Sequence, residues 1–339
     1  MNTKSYLGLF LLCAILLVAC NRKANRTPLD TDEPLVEFGW NKTADGNDPA
    51  SAPPDDADAG SQRDSGTDHD TPARGDADRM AGEGSHSRPA ATTTPTGEEA
   101  SHATSSSITD ELAVALPTPR RDLPEQRLER KAYISSFNNR TLMPNWVAWK
   151  LTKARTNGHV SRKNVRFQED YDVDERYRVS TFDYNRSGYD RGHLCPAGDN
   201  RWDYDAMTEC FLMTNICPQG HDLNAGDWND LENRCRSWAR RYGEIYIVCG
   251  PIIYDKPRRR IGRGRKVSVP DAFFKVVLCM KGSPKAIGFI FANDDGRHPL
   301  SSYVHPVDEV ERVTGYDFFA QLPDQVERAV EARAALGAW

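Results

Sequence analysis

Apolar positions recur at regular spacing only in the last two thirds of the chain. From about residue 128, "KAYISSF" predicts a strand, and "YRVSTFDY" a second one leading into the polar stretch "YDRGHLCPAGD" at 189–199. After Pro144, "NWVAWKLT" predicts a short amphipathic helix, and "ECFLMTNICP" an apolar strand stopped by Pro218. In "DWNDLENRCRSWARRYG", Trp228, Leu231, Cys235, Trp238 and Ala239 fall on one helical face, and Gly243 closes the helix. "EIYIVCGP" has the continuous apolar run of a buried strand. "AFFKVVLCM" and "KAIGFIFAN" predict two more strands joined by a Lys-Gly-Ser-Pro-Lys turn. "HPVDEVERVTG" and "PDQVERAVEARAALG" predict closing helices. Strands and helices mix without regular βαβ alternation, which predicts an α+β fold.

Upstream the pattern is different. Residues 21 to about 120 are dominated by Asp, Gly, Ser, Thr, Pro and Ala, with no apolar period from which a core could form. Before this segment stands an apolar run from Leu7 to Ala19, too short for a comfortable membrane span and of the form of an export signal. It ends in Leu17-Val18-Ala19-Cys20, which resembles a bacterial lipobox, and this implies cleavage before Cys20 and lipidation of its thiol. The expected organisation is a signal at 1–19, a lipidated Cys20 with a disordered acidic linker at 20–125, and one folded domain at 126–339. That organisation predicts an exported protein anchored by lipid to a bacterial envelope membrane, with the linker extended by self-repulsion.

Charge sharpens this division. Residues 28–100 carry 17 acidic and 5 basic side chains, whereas 101–339 carry 32 acidic and 35 basic. The acidity of the whole chain, −5, therefore belongs to the linker, and the folded part is mildly basic, as suits a polyanionic partner. Six cysteines lie in the folded part: Cys195, Cys210, Cys217, Cys235, Cys249 and Cys279. In an oxidising compartment they could form up to three disulfides, in any of fifteen pairings. There is no C-x-x-C pair, which argues against a zinc knuckle.

The candidate chemistry lies in three clusters. The first is Asp190-Arg191-Gly192-His193. The second, "TNICPQGHDLN", supplies Asn215, Gln219, His221, Asp222 and Asn224. The third, "GDWNDLE", opens the long helix and carries Glu232, eight residues beyond Asn224 and so within reach of the same helical face. Hydrolysis of a phosphodiester needs a base for water, a hard cation for the phosphate and leaving oxygen, and positive donors for the substrate. A neutral His193 suits the first, oxygen donors such as Asn224 and Glu232 the second, and the guanidinium fork of Arg191 the third. Taken singly, each has a plainer reading. Asp-Arg-Gly-His could be a turn with an ion pair, Asn224 a helix cap, Glu232 a solvated helix residue, Asn215 a support for backbone groups, and His221 and Asp222 loop residues. The three clusters together and in order favour the enzymatic reading.

The stretch from "SGYDRGHLCPAGD" through "TNICPQGHDLNAGDWNDLENRCRSWARRYGEIYIVCGPI" resembles the core of the DNA/RNA non-specific endonuclease family, and the resemblance covers roughly residues 130–320. It implies a ββα-metal (His-Me finger) fold with a central, mainly antiparallel sheet flanked by helices. It further implies magnesium-dependent cleavage of DNA and RNA with little sequence preference, manganese being the alternative ion. By that resemblance His193 is the general base, Asn224 the single protein ligand of the metal, and Glu232 the residue that orients metal-bound water. Arg191 binds substrate, Asn215 supports the histidine, and Asp190 fixes the backbone of the motif. A further phosphate-contacting arginine is expected upstream, with Arg162, Arg166 and Arg178 as candidates. Some relatives dimerise, and dimerisation stays open here.

The run "KPRRRIGRGRK" at 256–266 reads equally as a solvated loop or as a clamp on the phosphate backbone. The rival reading of the whole chain is a catalytically silent nucleic-acid-binding lipoprotein. The presence of His193, Asn224 and Glu232 argues against it.

Overall fold

The computed structural model describes residues 107–263, 267–294 and 297–339. The signal-like run, Cys20 and the linker up to residue 106 lie outside the described residues, as do positions 264–266 of the basic run. A short helix α1 (Ile108–Leu112) precedes a hairpin of β1 (Gln126–Glu129) and β2 (Tyr133–Asn138), followed by β3 (Met143–Thr152). A ribbon of β4 (Asp190–His193) and β5 (Ile216–Gln219) encloses helix α2 (Tyr204–Glu209). The long helix α3 (Trp228–Tyr242) leads into β6 (Glu244–Ile252). A small ribbon, β7 (Arg260–Ile261) and β8 (Val267–Ser268), then precedes β9 (Ala272–Cys279) and β10 (Lys285–Ala292). Strand β11 (Val304–His305) and helices α4 (Val307–Thr314) and α5 (Asp324–Glu331) complete the chain.

Seven strands form one antiparallel sheet in the order β1-β2-β3-β6-β9-β10-β11. Both faces of its centre are covered. Along β3, Val147, Trp149 and Leu151 join a core shared with Trp228, Leu231 and Trp238 of α3, while Trp146 and Ala148 join a second core with Val307 and Val310 of α4. Burial of each large side chain stabilises the fold by roughly 1.5–3 kcal/mol. Leu112, the last residue of α1, and Ala115, just beyond it, are wholly buried in that second core.

This two-sided burial overturns one expectation. "NWVAWKLT" is strand β3 and not a helix. A strand apolar on both faces loses its alternation, so its run reads like a buried helix. A bulge opposite Ser136 and Phe137 takes up Pro144 and the extra residue Asn145. "YRVSTFDY" is not a strand either. It forms two 3-10 turns, at Glu175–Tyr177 and Thr181–Tyr184, the second closed by a capping box between Ser180 and Asp183. "ECFLMTNICP" is the end of α2, a 3-10 turn at Met213–Asn215, and then β5, which runs through Pro218 rather than stopping there. Pro218 is tolerated because a two-stranded ribbon has an unpaired outer edge. The closing helices form, but α5 ends at Glu331.

The disulfide expectation also fails. All six cysteines of the folded part are free and buried. Cys217, Cys235, Cys249 and Cys279 sit in strands and in the long helix, Cys195 and Cys210 just beyond β4 and α2, and all serve as small apolar residues of a packed interior.

Candidate active site

Strand β4 carries the Asp-Arg-Gly-His motif, paired residue for residue with β5: Asp190 with Gln219, Arg191 with Pro218, Gly192 with Cys217, His193 with Ile216. The motif is therefore a strand and not a turn. Alternation puts Arg191 and His193 on one face. The glycine between them is required, because a Cβ there would lie 2.3 Å from Oε1 and 2.7 Å from Cβ of Gln219.

The His193 ring packs against Phe167 (centroids 5.2 Å apart) and edge-on to Phe211 (4.8 Å). Its Nε2 is buried without a hydrogen-bond partner. Burial, together with the nearby charge of Arg162, pushes the imidazole down to about 3, so the ring is neutral and one of its nitrogens carries a lone pair. Arg162 lies over the Phe211 ring at 5.6 Å. Of the three upstream arginines, it is the one the structure brings to the histidine. Arg178 instead stacks on Tyr171 at 4.5 Å and donates to the Val173 carbonyl at 3.1 Å. Arg166 is exposed.

Arg191 is held by the turn upstream. Its Nη2 donates to the Thr181 carbonyl and to Asn185 Oδ1, both at 2.9 Å, and its guanidinium lies 5.6 Å from the Phe167 ring centroid. Asn215 is wholly buried and clamps the chain just beyond His193. Its Oδ1 accepts from the Cys195 N–H at 2.9 Å, and its Nδ2 donates to the carbonyls of Cys195 (2.9 Å) and Cys210 (2.7 Å).

Asp190 joins the first cluster to the second. One carboxylate oxygen accepts from Asn224 Nδ2 at 3.0 Å and meets His221 Nδ1 at 2.8 Å. His221, read from sequence as a loop residue, thus belongs to the frame of the site. Asn224 sits in an irregular π-type turn, Leu223–Asp227, where Gly226 departs from helical angles. It does not cap α3. With its amide nitrogen engaged by Asp190, its side-chain carbonyl oxygen is the atom left to ligate a cation. The first turn of α3 is fixed to β4 by Trp228 Nε1, which donates to the His193 carbonyl at 3.3 Å.

Glu232 is not a solvated helix residue. Its side chain is only 12% exposed. Burial pushes the carboxyl up to about 7, opposed by the charges of Lys275 and then Arg236. Arg236 is itself held by Asp199 at 2.8 Å, and Asp199 accepts from Trp149 Nε1 at 3.0 Å. Lys275 was not singled out from the sequence. It is 1% exposed in the middle of β9, its Nζ 4.0 Å from the Trp228 ring centroid. The signal was available, since a lone cation interrupts the apolar run "AFFKVVLC". The basic run also finds a place, as Arg259 lies 5.0 Å over the Tyr189 ring, directly before Asp190.

Comparison with known proteins agrees with this geometry. A family model described as DNA/RNA non-specific endonuclease matches residues 116–325. The chain is 32% identical over 234 residues to the mitochondrial nuclease EXOG of Xenopus laevis, covering 62% of this chain and 65% of that protein. It is also 32% identical over 222 residues to human mitochondrial endonuclease G, covering 62% of this chain and 73% of that protein. The matched region thus spans just under two thirds of the Xenopus relative. A chain from the crystal structure of the EndoG/EndoGI complex superposes with a TM-score of 0.59 at 29% identity, covering 65% of this chain and 94% of that one. With its antiparallel sheet, flanking helices and Asp-Arg-Gly-His ribbon, this chain belongs to the DNA/RNA non-specific endonuclease family.

Proposed function

We propose that the protein is a metal-dependent endonuclease that hydrolyses phosphodiester bonds of DNA and RNA with little sequence preference. The observation that carries the reading is the buried, unpartnered Nε2 of a neutral His193, placed beside Arg162. In this reading His193 takes a proton from water as the water oxygen bonds to phosphorus. The bond from phosphorus to the leaving sugar oxygen breaks, and that oxygen departs as the alcohol once protonated from solvent. Arg162, Arg191 and the basic run beginning at Lys256 bind phosphate oxygens, which carry no sequence information. Asn215 holds the backbone that orients the histidine.

The residues present fit a hard divalent cation. The Asn224 amide is oriented by Asp190, Glu232 offers a shielded carboxylate, and both are oxygen donors. A single protein ligand suits magnesium, which keeps most of its waters. Asn224 would hold the ion and Glu232 would orient a bound water. When bound, the ion supplies positive charge to the phosphate and leaving group. Asp190 is then a positioning residue, acting through Asn224.

Export and lipid anchoring at Cys20 belong to the same proposal and are supported by the lipobox-like run. Supercoiled plasmid and RNA, incubated with the protein in magnesium or in EDTA, test the reading. Magnesium-dependent cutting of both is expected. It should fall by about 10²–10⁴-fold in His193→Ala. In Asp190→Asn the magnesium required should rise by about 10–100-fold. A protein that binds plasmid but never nicks it in any divalent metal would instead be a binding lipoprotein.

A further inference from the structure

Glu331 is a carboxylate that the fold buries without a partner. It is 4% exposed, and its Oε1 lies in the interior with no hydrogen-bond donor among the described residues. It is the last residue of α5, where the helix dipole already concentrates partial negative charge, so an acid there is doubly disfavoured. The preceding Val330 belongs to the second core together with Val310 of α4, and the two helices are in contact. Burial, and then the charges of Glu311, Glu327, Asp308 and Asp317, push the Glu331 carboxyl up to about 9. Each of those charges is negative.

Two further carboxylates stand beside it. Asp308 and Glu311 are three residues apart in α4 and so share a face of that helix. One side-chain oxygen from each of Asp308, Glu311 and Glu331 lies within 4.8 Å of those of the other two. Glu311 is already oriented, its Oε1 accepting from the Phe318 N–H at 2.7 Å. The arginines of these helices leave Glu331 unpaired. Arg312 is engaged by Glu309, at 2.6 and 2.8 Å, and Arg328 is exposed. Asp308, in the first turn of α4, has a plain reading as an acid favoured at a helix N-terminus. Glu331 has no such reading, because a carboxylate taken out of water needs a cation or a proton.

We propose that Asp308, Glu311 and Glu331 bind a hard divalent cation of the calcium class, which ties α4 to α5 on the face of the sheet away from α3. All three residues offer oxygen, with no imidazole or thiolate among them, which disfavours zinc and copper. The spacing suits an ion that holds its oxygens at about 2.3–2.6 Å. Magnesium keeps most of its waters and so suits a buried carboxylate less well. The exposed Asp308 leaves a way in for the ion and its remaining waters. Binding exchanges a proton for the ion. The O–H bond of the Glu331 carboxyl breaks, its electron pair stays on oxygen to ligate the cation, and the proton goes to solvent. None of the three residues belongs to the candidate active site, so this site stands apart from the nuclease reading.

Calorimetric titration and thermal unfolding of the full chain with calcium test this. The titration should give a Kd and, at pH 7 in buffers of different ionisation enthalpy, about one proton released per calcium. The melting midpoint should rise by about 5–10 °C between EDTA and calcium at about a hundredfold above that Kd. Asn224→Ala, which removes the ligand proposed for the catalytic ion, should keep both effects. Glu331→Gln, close in shape to the native side chain, should lose both. Asp308→Asn changes an exposed residue and leaves the fold intact, and it should weaken calcium binding about tenfold. A midpoint that calcium does not move overturns the site and leaves Glu331 a protonated carboxyl. A shift that survives unchanged in Glu331→Gln and Asp308→Asn, or that disappears in Asn224→Ala, overturns it as well.

Discussion

At the scale of single residues, the candidate site holds two titratable groups away from their ordinary protonation. His193, pushed down to about 3, is already unprotonated at any pH near neutral and sets no acid limb there. Glu232, pushed up to about 7, does change charge in that range, and its carboxylate is the form that can orient water. Cleavage should therefore rise with pH through about 7, and kcat/KM measured from pH 5 to 9 should lose this limb in Glu232→Gln. A limb that survives the substitution sinks the assignment. The same group opposes stability. Its folded pKa lies above the unfolded value, so the folded state binds more protons between pH 4.5 and 7, and stability is lost as pH rises through that window. At pH 8 Glu232→Gln should have a higher urea midpoint than the native protein while cleaving more slowly. These residues were named from sequence because their spacing is local. Their environment was not legible, because the burial that shifts them comes from other parts of the chain.

At the scale of elements, the ribbon and the long helix carry the site, and Asn215 locks the ribbon. Asn215→Ala leaves the Cys195 N–H and the Cys195 and Cys210 carbonyls without this partner in a buried environment. The cost should be about 2–4 kcal/mol by urea titration, since unpaired buried polar groups lose their solvation without recompense. A loss below 0.5 kcal/mol, the scale of a neutral surface change, would contradict the clamp. Helix α3 was legible because one of its faces meets solvent and the other the core, so its apolar residues recur at the helical period. Strand β3 was misread for the opposite reason, since Trp146, Val147, Ala148 and Trp149 are all buried. The Thr181–Tyr184 turn was misread because its capping box is a four-residue signal, Ser180 to Asp183, inside an otherwise strand-like run.

At the scale of the whole molecule, the free thiols mark the interior. Burial pushes Cys195, Cys217 and Cys235 upward, so their reactive thiolates are suppressed. Alkylation followed by peptide mapping should leave the six cysteines of the folded part unlabelled in the native protein and label all six in denaturant. Recovery of any disulfide-linked pair from native protein would contradict the structure. Cysteine count together with an export signal suggested bridges. Only the packed arrangement shows each thiol held within the cores as an apolar group.

The sequence alone determined what depends on neighbours along the chain: the Asp-Arg-Gly-His run, the eight-residue step from Asn224 to Glu232, the buried face of α3, and the turn between β9 and β10. Tertiary structure decided what depends on which strands adjoin. It chose Arg162 from three arginines, walled His193 with Phe167 and Phe211, put Lys275 near Glu232, and tied Asp190 to Asn224 and His221 across more than thirty residues. The physical reason is that periodicity reports whether a position is buried, whereas the partner it is buried against follows from which strands adjoin, an order that no local pattern encodes.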